Sequence, residues 1–381
     1  MNTDEPQCGD VLLKILLNAG TSPIFGIIYG LFLILLIISV KIIMTWGQSA
    51  GVRSISTSEA SQRLHAGDLD PNYITGFSDG EASFHISISK NMNYKTGYVV
   101  KPIYTIQLHN QDYSLLEQVK NYFQVGTLQT KNNKTGNNTA IYSVQSLKDI
   151  TNKIIPHFDN YPLLTKKQAD FLLFKDVINL MNQGKHLNLD GLREILTYKA
   201  SMNKGLNEAL KKEFEIIPVE RPVISISSRL RHPALSAAYA AESVGINKNW
   251  LIGFIEAEGC FICLVRKNIT HLIGFQVTLS FSLTQHSRDL DLMIKIQEFL
   301  GLGKIYDRNA IVNLTITKNS EINLLISMLK GELKGTKKLE FGDFVAIQEI
   351  VNNDLHKTKE GLAQIVEIKR NMNFGRNVKK N

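Results

Sequence analysis

In "KPIYTIQLHNQDYSLLEQVKNYFQVGTL" the apolar positions first alternate, then recur at helical spacing, then stop at Gly126. The stretch "GFQVTLSFSLTQHSRDLDLMIKIQEFLGLGKI" repeats that order. Upstream of each lies a related peptide, "NYITGFSDGEASFHIS" and "NWLIGFIEAEGCFICL", with the copies starting 177 residues apart. So long a period denotes duplicated domains rather than a solenoid. Downstream, "IPHFDNYPLLTKKQADFLLFKDVINLMNQ" and "ISMLKGELKGTKKLEFGDFVAIQEIVNN" both read as helical. Each half closes on a matched helix, "LREILTYKASMNKG" and "LAQIVEIKRNMNFG", running to Gly205 and Gly375. The predicted order in each half is helix, two strands, helix, two strands, helices. This is an α+β chain whose two halves suggest a pseudo-twofold.

The predicted domains are residues 70–211 and 247–381. Between them, 212–246 carries Pro218, Pro222 and Pro233, shows no settled period and reads as a surface linker. Residues 1–69 are different material. Ile24 to Met44 is an apolar run broken only by Ser39 and Lys41, long enough to cross a bilayer. The polar, small-residue segment after it reads as a linker. Two readings fit this head: a membrane-spanning remnant, which would be the only membrane contact and only if unprocessed, or a cleaved leader.

Composition narrows the partners. A formal charge of +8 favours an anionic one, nucleic acid or an anionic membrane surface. Three cysteines exclude a disulfide framework, and Cys260 and Cys263 have no second pair to complete a zinc site, so both are read as strand residues. Abundant Ile, Asn and Lys with scarce Pro match AT-rich coding, which points to an organelle, the mitochondrion, as origin.

The repeated peptide carries the chemistry. Asp70-Pro71 supplies an N-cap and a first-turn proline, so 71–81 is predicted as a helix, and 249–258 matches it. Gly76 and Gly80 in one copy, Gly253 and Ala257 in the other, give each helix a face of small residues on which another backbone can approach. Glu81 and Glu258 follow directly, so crossing helices would bring two carboxylates to one spot. Each also meets the negative end of its own helix, and divalent cations between them would relieve both costs. The strands that follow carry His85, Ser87, Ser89 and Lys90 in one half and Arg266 and Lys267 in the other, with Lys101, Gln107 and Gln276 on neighbouring strands. Such sheets can lie in a nucleic-acid groove and read bases through alternate side chains.

At these residues the chain resembles the LAGLIDADG homing endonucleases in their double-motif, single-chain form, and most of all the I-OnuI type, over roughly residues 70–376. The resemblance rests on "ITGFSDGEASF", "LIGFIEAEGCF", "FSLTQHSRD", "YPLLTKKQADFLLFK", "GKHLNLDGLREI" and the paired "MN-x-G" closures. It implies two αββαββα halves with the motif helices at their interface and a DNA-binding saddle of antiparallel sheets. It also implies magnesium, two or more divalent cations, held by Glu81 and Glu258 and by the carbonyls of Gly80 and Ala257. Gln285 matches a position near the scissile phosphates, with Leu108 as its counterpart in the first half. Lys167 and Lys337, or Lys338 by a one-residue shift, match the active-site lysines. Where the family usually has glycine after the first acid, this chain has Ala82, which would be strained if that residue needed positive φ.

The implied activity is metal-dependent hydrolysis of both strands of a long, asymmetric duplex DNA target by an intron-encoded monomer, one nick per half. The rival from another class is an RNA maturase, which would use the same basic surface to bind its own intron. A third reading makes the apolar head the functional part of a membrane protein.

Overall fold

The computed structural model describes residues 69–132, 138–224 and 246–372. Asp70 caps the first motif helix, α1 (Pro71–Glu81), by accepting from the backbone N–H of Asn72 at 2.8 Å, while Pro71 occupies a position whose N–H has no helical partner. Strands β1 (Ala82–Lys90) and β2 (Tyr98–His109) follow, then α2 (Tyr113–Phe123), β3 (Thr127–Lys131) and β4 (Thr139–Val144). A helical run then ends in α3 (Ile155–Asn160), followed by α4 (Lys167–Asn182), α5 (Leu189–Ser201) and α6 (Glu208–Glu213).

The second half repeats this with α7 (Lys248–Glu258), β5 (Gly259–Lys267), β6 (Phe275–His286) and α8 (Leu290–Leu300). Strands β7 (Lys304–Arg308) and β8 (Ile311–Ile316) come next, then α9 (Asn319–Leu329), α10 (Lys337–Asn352) and α11 (Lys359–Asn371). The two four-stranded antiparallel sheets have matching orders, β1-β2-β4-β3 and β5-β6-β8-β7. Where α2 ends, Gln124 takes the left-handed conformation, and Gly301 takes it after α8. These positions differ by the same 177 residues as the motif copies.

Each sheet buries one face under helices and leaves the other open. In the first half, Phe84 packs against Tyr104, Phe158, Phe171 and Phe174 at ring separations of 5.1–5.7 Å. In the second, Phe261 packs against Phe281, Phe341 and Phe344, each at 5.3 Å. The α5 helix stops at Ser201, four residues before Gly205, and Asn203 of the closing "MNKG" donates from its amide to the Phe84 carbonyl at 2.8 Å. That closure therefore ties the helical layer to the edge strand. Its counterpart at Gly375 lies outside the described residues.

The proline-bearing linker is fastened as far as it is described. Arg221 forks onto both carboxylate oxygens of Asp170 at 2.8 Å, and Val219 N–H donates to the Thr197 carbonyl. Such bidentate pairing orders a segment that has no regular structure of its own. Among the described residues, no helix is long and apolar enough to cross a membrane. The 24–44 segment lies outside them.

Candidate active site and nucleic-acid face

The motif helices α1 and α7 cross with backbones in contact. The Trp250 carbonyl stands where a Cβ on Gly76 would go, and the Tyr73 carbonyl stands where one on Gly253 would go. At the next small positions, a Cβ on Gly80 would run into the methyl of Ala257 and lie 3.1 Å from Cγ of Glu258. Small residues are therefore required on both faces, and the crossing delivers Glu81 and Glu258 to one place. Burial first, and then the neighbouring charge of Glu258, push the Glu81 carboxyl above its ordinary range, with Lys167 and Lys337 pulling the other way.

Both lysines begin a helix. Lys167 is the first residue of α4 and Lys337 holds the matching place as the first of α10, whereas Lys338 is exposed. Lys167 Nζ donates to the carbonyls of Ser78 and Gly80 at 2.9 and 3.0 Å, and Lys337 Nζ to the carbonyl of Gly259. Burial lowers the Lys167 amine, opposed by the charges of Asp79, Glu258 and Glu81. The Gly80 carbonyl, read from the sequence as a cation ligand, thus already accepts from the chain's own ammonium. Beside these groups opens a cleft of about 600 Å³ lined by Glu81, Leu108, Asp112, Ala257 and Lys337 among others. Gln285 occupies on β6 the place that Leu108 has on β2, one residue before the histidine that ends each strand.

Ala82 is not strained. Its φ of −78° and ψ of 155° are ordinary extended backbone, and Gly259 at the matching position has φ −69°. The second half needs glycine for room, since a Cβ there would lie 2.7 Å from the Ile255 carbonyl oxygen and 3.0 Å from the Phe281 ring. The first half has space for a methyl.

The donors present suit a hard divalent cation: two carboxylates and helix-terminal carbonyls, all oxygen. Among the described residues, no group of three or more His, Cys, Asp or Glu is placed to hold a metal. Further ligands would have to come from phosphate and water, as is usual for magnesium.

Two further acids organise the lysines. Asp79 accepts from the backbone N–H of Leu164 and Thr165 at 2.8 and 3.0 Å, from the Thr165 hydroxyl at 2.6 Å and from Trp250 Nε1 at 2.8 Å. Its counterpart Glu256 accepts from the N–H of Lys334 and Gly335 at 2.7 and 3.2 Å and from the Tyr73 hydroxyl at 3.1 Å. Each acid thus fixes the loop leading into its own half's lysine, and receives a bond from an aromatic of the other half. Burial raises both carboxyls, while these hydrogen bonds lower them. Sequence reasoning passed over both acids, although they repeat in register two residues before Glu81 and Glu258.

On the sheets, strand parity sorts the candidates. His85, Ser87 and Ser89 lie on the open face of β1 with Lys101 and Gln107 of β2, and Ser87 pairs directly with Lys101. Arg266 and Gln276 are likewise paired on the open face of the second sheet. Lys90 and Lys267 depart from this, because they have the parity of the core residues. Lys90 instead forms an ion pair with Glu213 at 2.6 Å and lies over the Tyr98 ring. The outer strands add open-face residues not foreseen: Gln129 and Lys131 on β3, and Lys304, Tyr306 and Arg308 on β7. Cys260 is exposed on the open face and Cys263 is in the core, both with free thiols.

A protein-family model described as LAGLIDADG endonuclease matches residues 74–178 and 251–348. "Probable intron-encoded endonuclease 2" of Neurospora crassa is 34% identical over 310 residues, covering 80% of this chain. "Probable intron-encoded endonuclease 3" of the same fungus is 36% identical over 303 residues, covering 78%. The chain spans 65% and 53% of the lengths of these two relatives. Among solved structures, the I-SmaMI LAGLIDADG homing endonuclease bound to cleaved DNA superposes with a TM-score of 0.73 at 35% identity, covering 81% of this chain and 99% of that one. I-SmaMI bound to an uncleaved DNA target in the presence of calcium ions superposes with a TM-score of 0.72 at 34% identity, covering 80% and 99%.

Proposed function

Because the chain belongs to the LAGLIDADG endonuclease family, as a two-motif single chain, we propose that it is an intron-encoded, site-specific DNA endonuclease that hydrolyses one phosphodiester on each strand of a long, asymmetric duplex target. The observation that carries this is the backbone-contact crossing of α1 and α7, with Glu81 and Glu258 brought together at its end. In our reading it acts as a monomer of the I-OnuI type, since both motifs, both sheets and both lysines are present in one chain. A mitochondrial gene fits its coding bias and its intron-encoded relatives. The intact acid pair and the DNA-bound relatives favour nuclease chemistry over RNA binding alone.

Glu81 and Glu258 would hold divalent cations, magnesium in our reading, which when bound activate water and stabilise the leaving oxygen. The chain's own residues do the rest. Lys167 and Lys337, anchored through backbone carbonyls, hold fixed positive charge where negative charge builds on the phosphate. Gln285, absent from the first half, would orient water on one side only. The open faces, with Lys101, Gln107, Arg266 and Gln276, follow the duplex and read base edges. Lys131, Lys304 and Arg308 add charge along the backbone path. Different side chains in matching places make the target asymmetric.

The reading is tested by selecting a duplex from randomised DNA with the purified chain in calcium, then adding magnesium. A double-strand break at a fixed position within the selected sequence is expected. Tight selection of duplex DNA without any cleavage would leave a binding protein.

A further inference from the structure

The lysine-bearing loops are each gripped by a second acid, and it comes from the opposite half. Asp289, at the start of α8 in the second half, accepts from the backbone N–H of Lys166 in the first half at 2.7 Å. Asp112, at the start of α2 in the first half, accepts from the N–H and hydroxyl of Thr336 in the second half at 2.6 and 2.9 Å. Lys166 and Thr336 each directly precede an active-site lysine, and Asp112 and Asp289 are 177 residues apart. The grip is therefore the same contact made twice about the pseudo-twofold.

Other observations bear on it. Asp289 is 3% exposed, with Oδ1 on the Lys166 N–H and Oδ2 3.6 Å from Arg288 Nε. On the other side, a Cβ at Gly335 would lie 2.8 Å from Asp112 Oδ1 and 3.0 Å from Glu256 Oε1, so an acid from each half converges on one residue of the loop. Charge-assisted bonds to a backbone N–H are about twice as strong as neutral ones. Such a bond fixes the turn on which the lysine stands. Each acid stands directly before a helix, α2 or α8, without capping it through its side chain.

We propose that Asp112 and Asp289 are positioning residues, each completing from the opposite half the hold on a lysine-bearing loop that Asp79 or Glu256 begins within its own half, so that neither lysine is fully set in place until the two halves have docked. The inference rests on the nuclease reading for its catalytic consequence, but not for the positioning itself. Each nick then depends on residues of both halves, and damage at one acid shows at the distant lysine rather than at the near one.

The test uses the full chain and two readouts. Without DNA, a small amine-acylating reagent labels exposed lysine amines, and mass spectrometry reports Lys167 and Lys337 separately. Asp112→Ala is expected to raise labelling of Lys337 several-fold while leaving Lys167 near the wild-type value, and Asp289→Ala to do the reverse. Asp112→Asn keeps an oxygen to accept from Thr336 and restores the wild-type pattern. Thr336→Val removes only the hydroxyl bond and gives a smaller rise, again confined to Lys337, which serves if the alanine variants do not fold. With selected DNA, strand-resolved nicking by Asp112→Ala slows the same strand as Lys337→Ala, and Asp289→Ala the same strand as Lys167→Ala. Equal labelling of both lysines, or a rise confined to the lysine of the mutated half, overturns the proposal. If labelling crosses over as stated but the wild-type chain cuts no DNA, the positioning stands and the nuclease reading falls.

Discussion

Gly76 and Trp250 touch backbone to backbone: the Trp250 carbonyl fills the space a side chain on Gly76 would need, and the Phe254 nitrogen lies 3.0 Å from the same point. The meeting of the two acids depends on this contact, because Glu81 and Glu258 end the helices that make it. Gly76→Ala must force carbonyl and methyl apart, at a cost of about 1–3 kcal/mol in overpacking. Moving the acids by about 1 Å can cost on the order of a hundredfold in rate. Cleavage should therefore fall further than melting temperature does. Unchanged melting together with unchanged cutting would mean that the helices do not meet there.

The Glu81 carboxyl holds its proton more tightly in the folded chain than in the unfolded one, through burial first and Glu258 second. A group raised in this way takes stability from the folded state as pH climbs from the ordinary carboxylate range through the raised value. Without divalent cations, Glu81→Gln should thus melt higher than wild type at neutral pH. Magnesium should raise the melting temperature of wild type and not that of the variant. Scanning calorimetry in chelator and then in magnesium checks both; a lower metal-free melting temperature for Glu81→Gln would count against a strained acid pair.

The residues after the two acids should respond in opposite ways. Ala82 sits in ordinary extended backbone, so Ala82→Gly restores no needed freedom and should destabilise by roughly 0.5–1 kcal/mol with cleavage unchanged. Gly259→Ala must displace the Ile255 carbonyl or the Phe281 ring and should cost about 1–3 kcal/mol. Denaturant melts of the two variants compare them directly.

Asp79 accepts four bonds, and an asparagine there turns an N–H₂ group toward at least one donor. Asp79→Asn should cost about 1–3 kcal/mol for the donor left unsatisfied, and cleavage should fall because the loop before Lys167 is released. Trp250→Phe removes one donor and leaves the others, so it should give the smaller effect on both measures.

Much of this was legible in the chain. Asp70-Pro71 marked the start of α1, the four-residue spacing of small residues marked the contact face, and the repeated acids marked where the two helix ends meet. The parity of Lys90 and Lys267 could also have been read, since each falls in step with the buried Phe84 or Phe261. What could not be read is which residues fasten the lysine loops. Asp79 reaches Leu164 across 85 positions, Asp289 reaches Lys166 across 123, and Asp112 reaches Thr336 across 224. An acid at a helix start looks like a cap in the sequence, and only the docked halves show that it serves a distant loop. The conformation at Ala82 was likewise hidden, because a glycine preference can arise from φ or from lack of space. Here the second half uses glycine for space alone.

The most direct test of the shared acid site is cleavage against binding for Glu81→Gln and Glu258→Gln on the selected duplex. Binding is measured in calcium, in which I-SmaMI was captured on an uncleaved target, and cutting in magnesium. Each substitution removes a proposed cation ligand and leaves the residues of both open sheet faces unchanged. Both variants should bind the duplex about as tightly as wild type and make no double-strand break. Full cutting by either one would contradict a site built from Glu81 and Glu258 together.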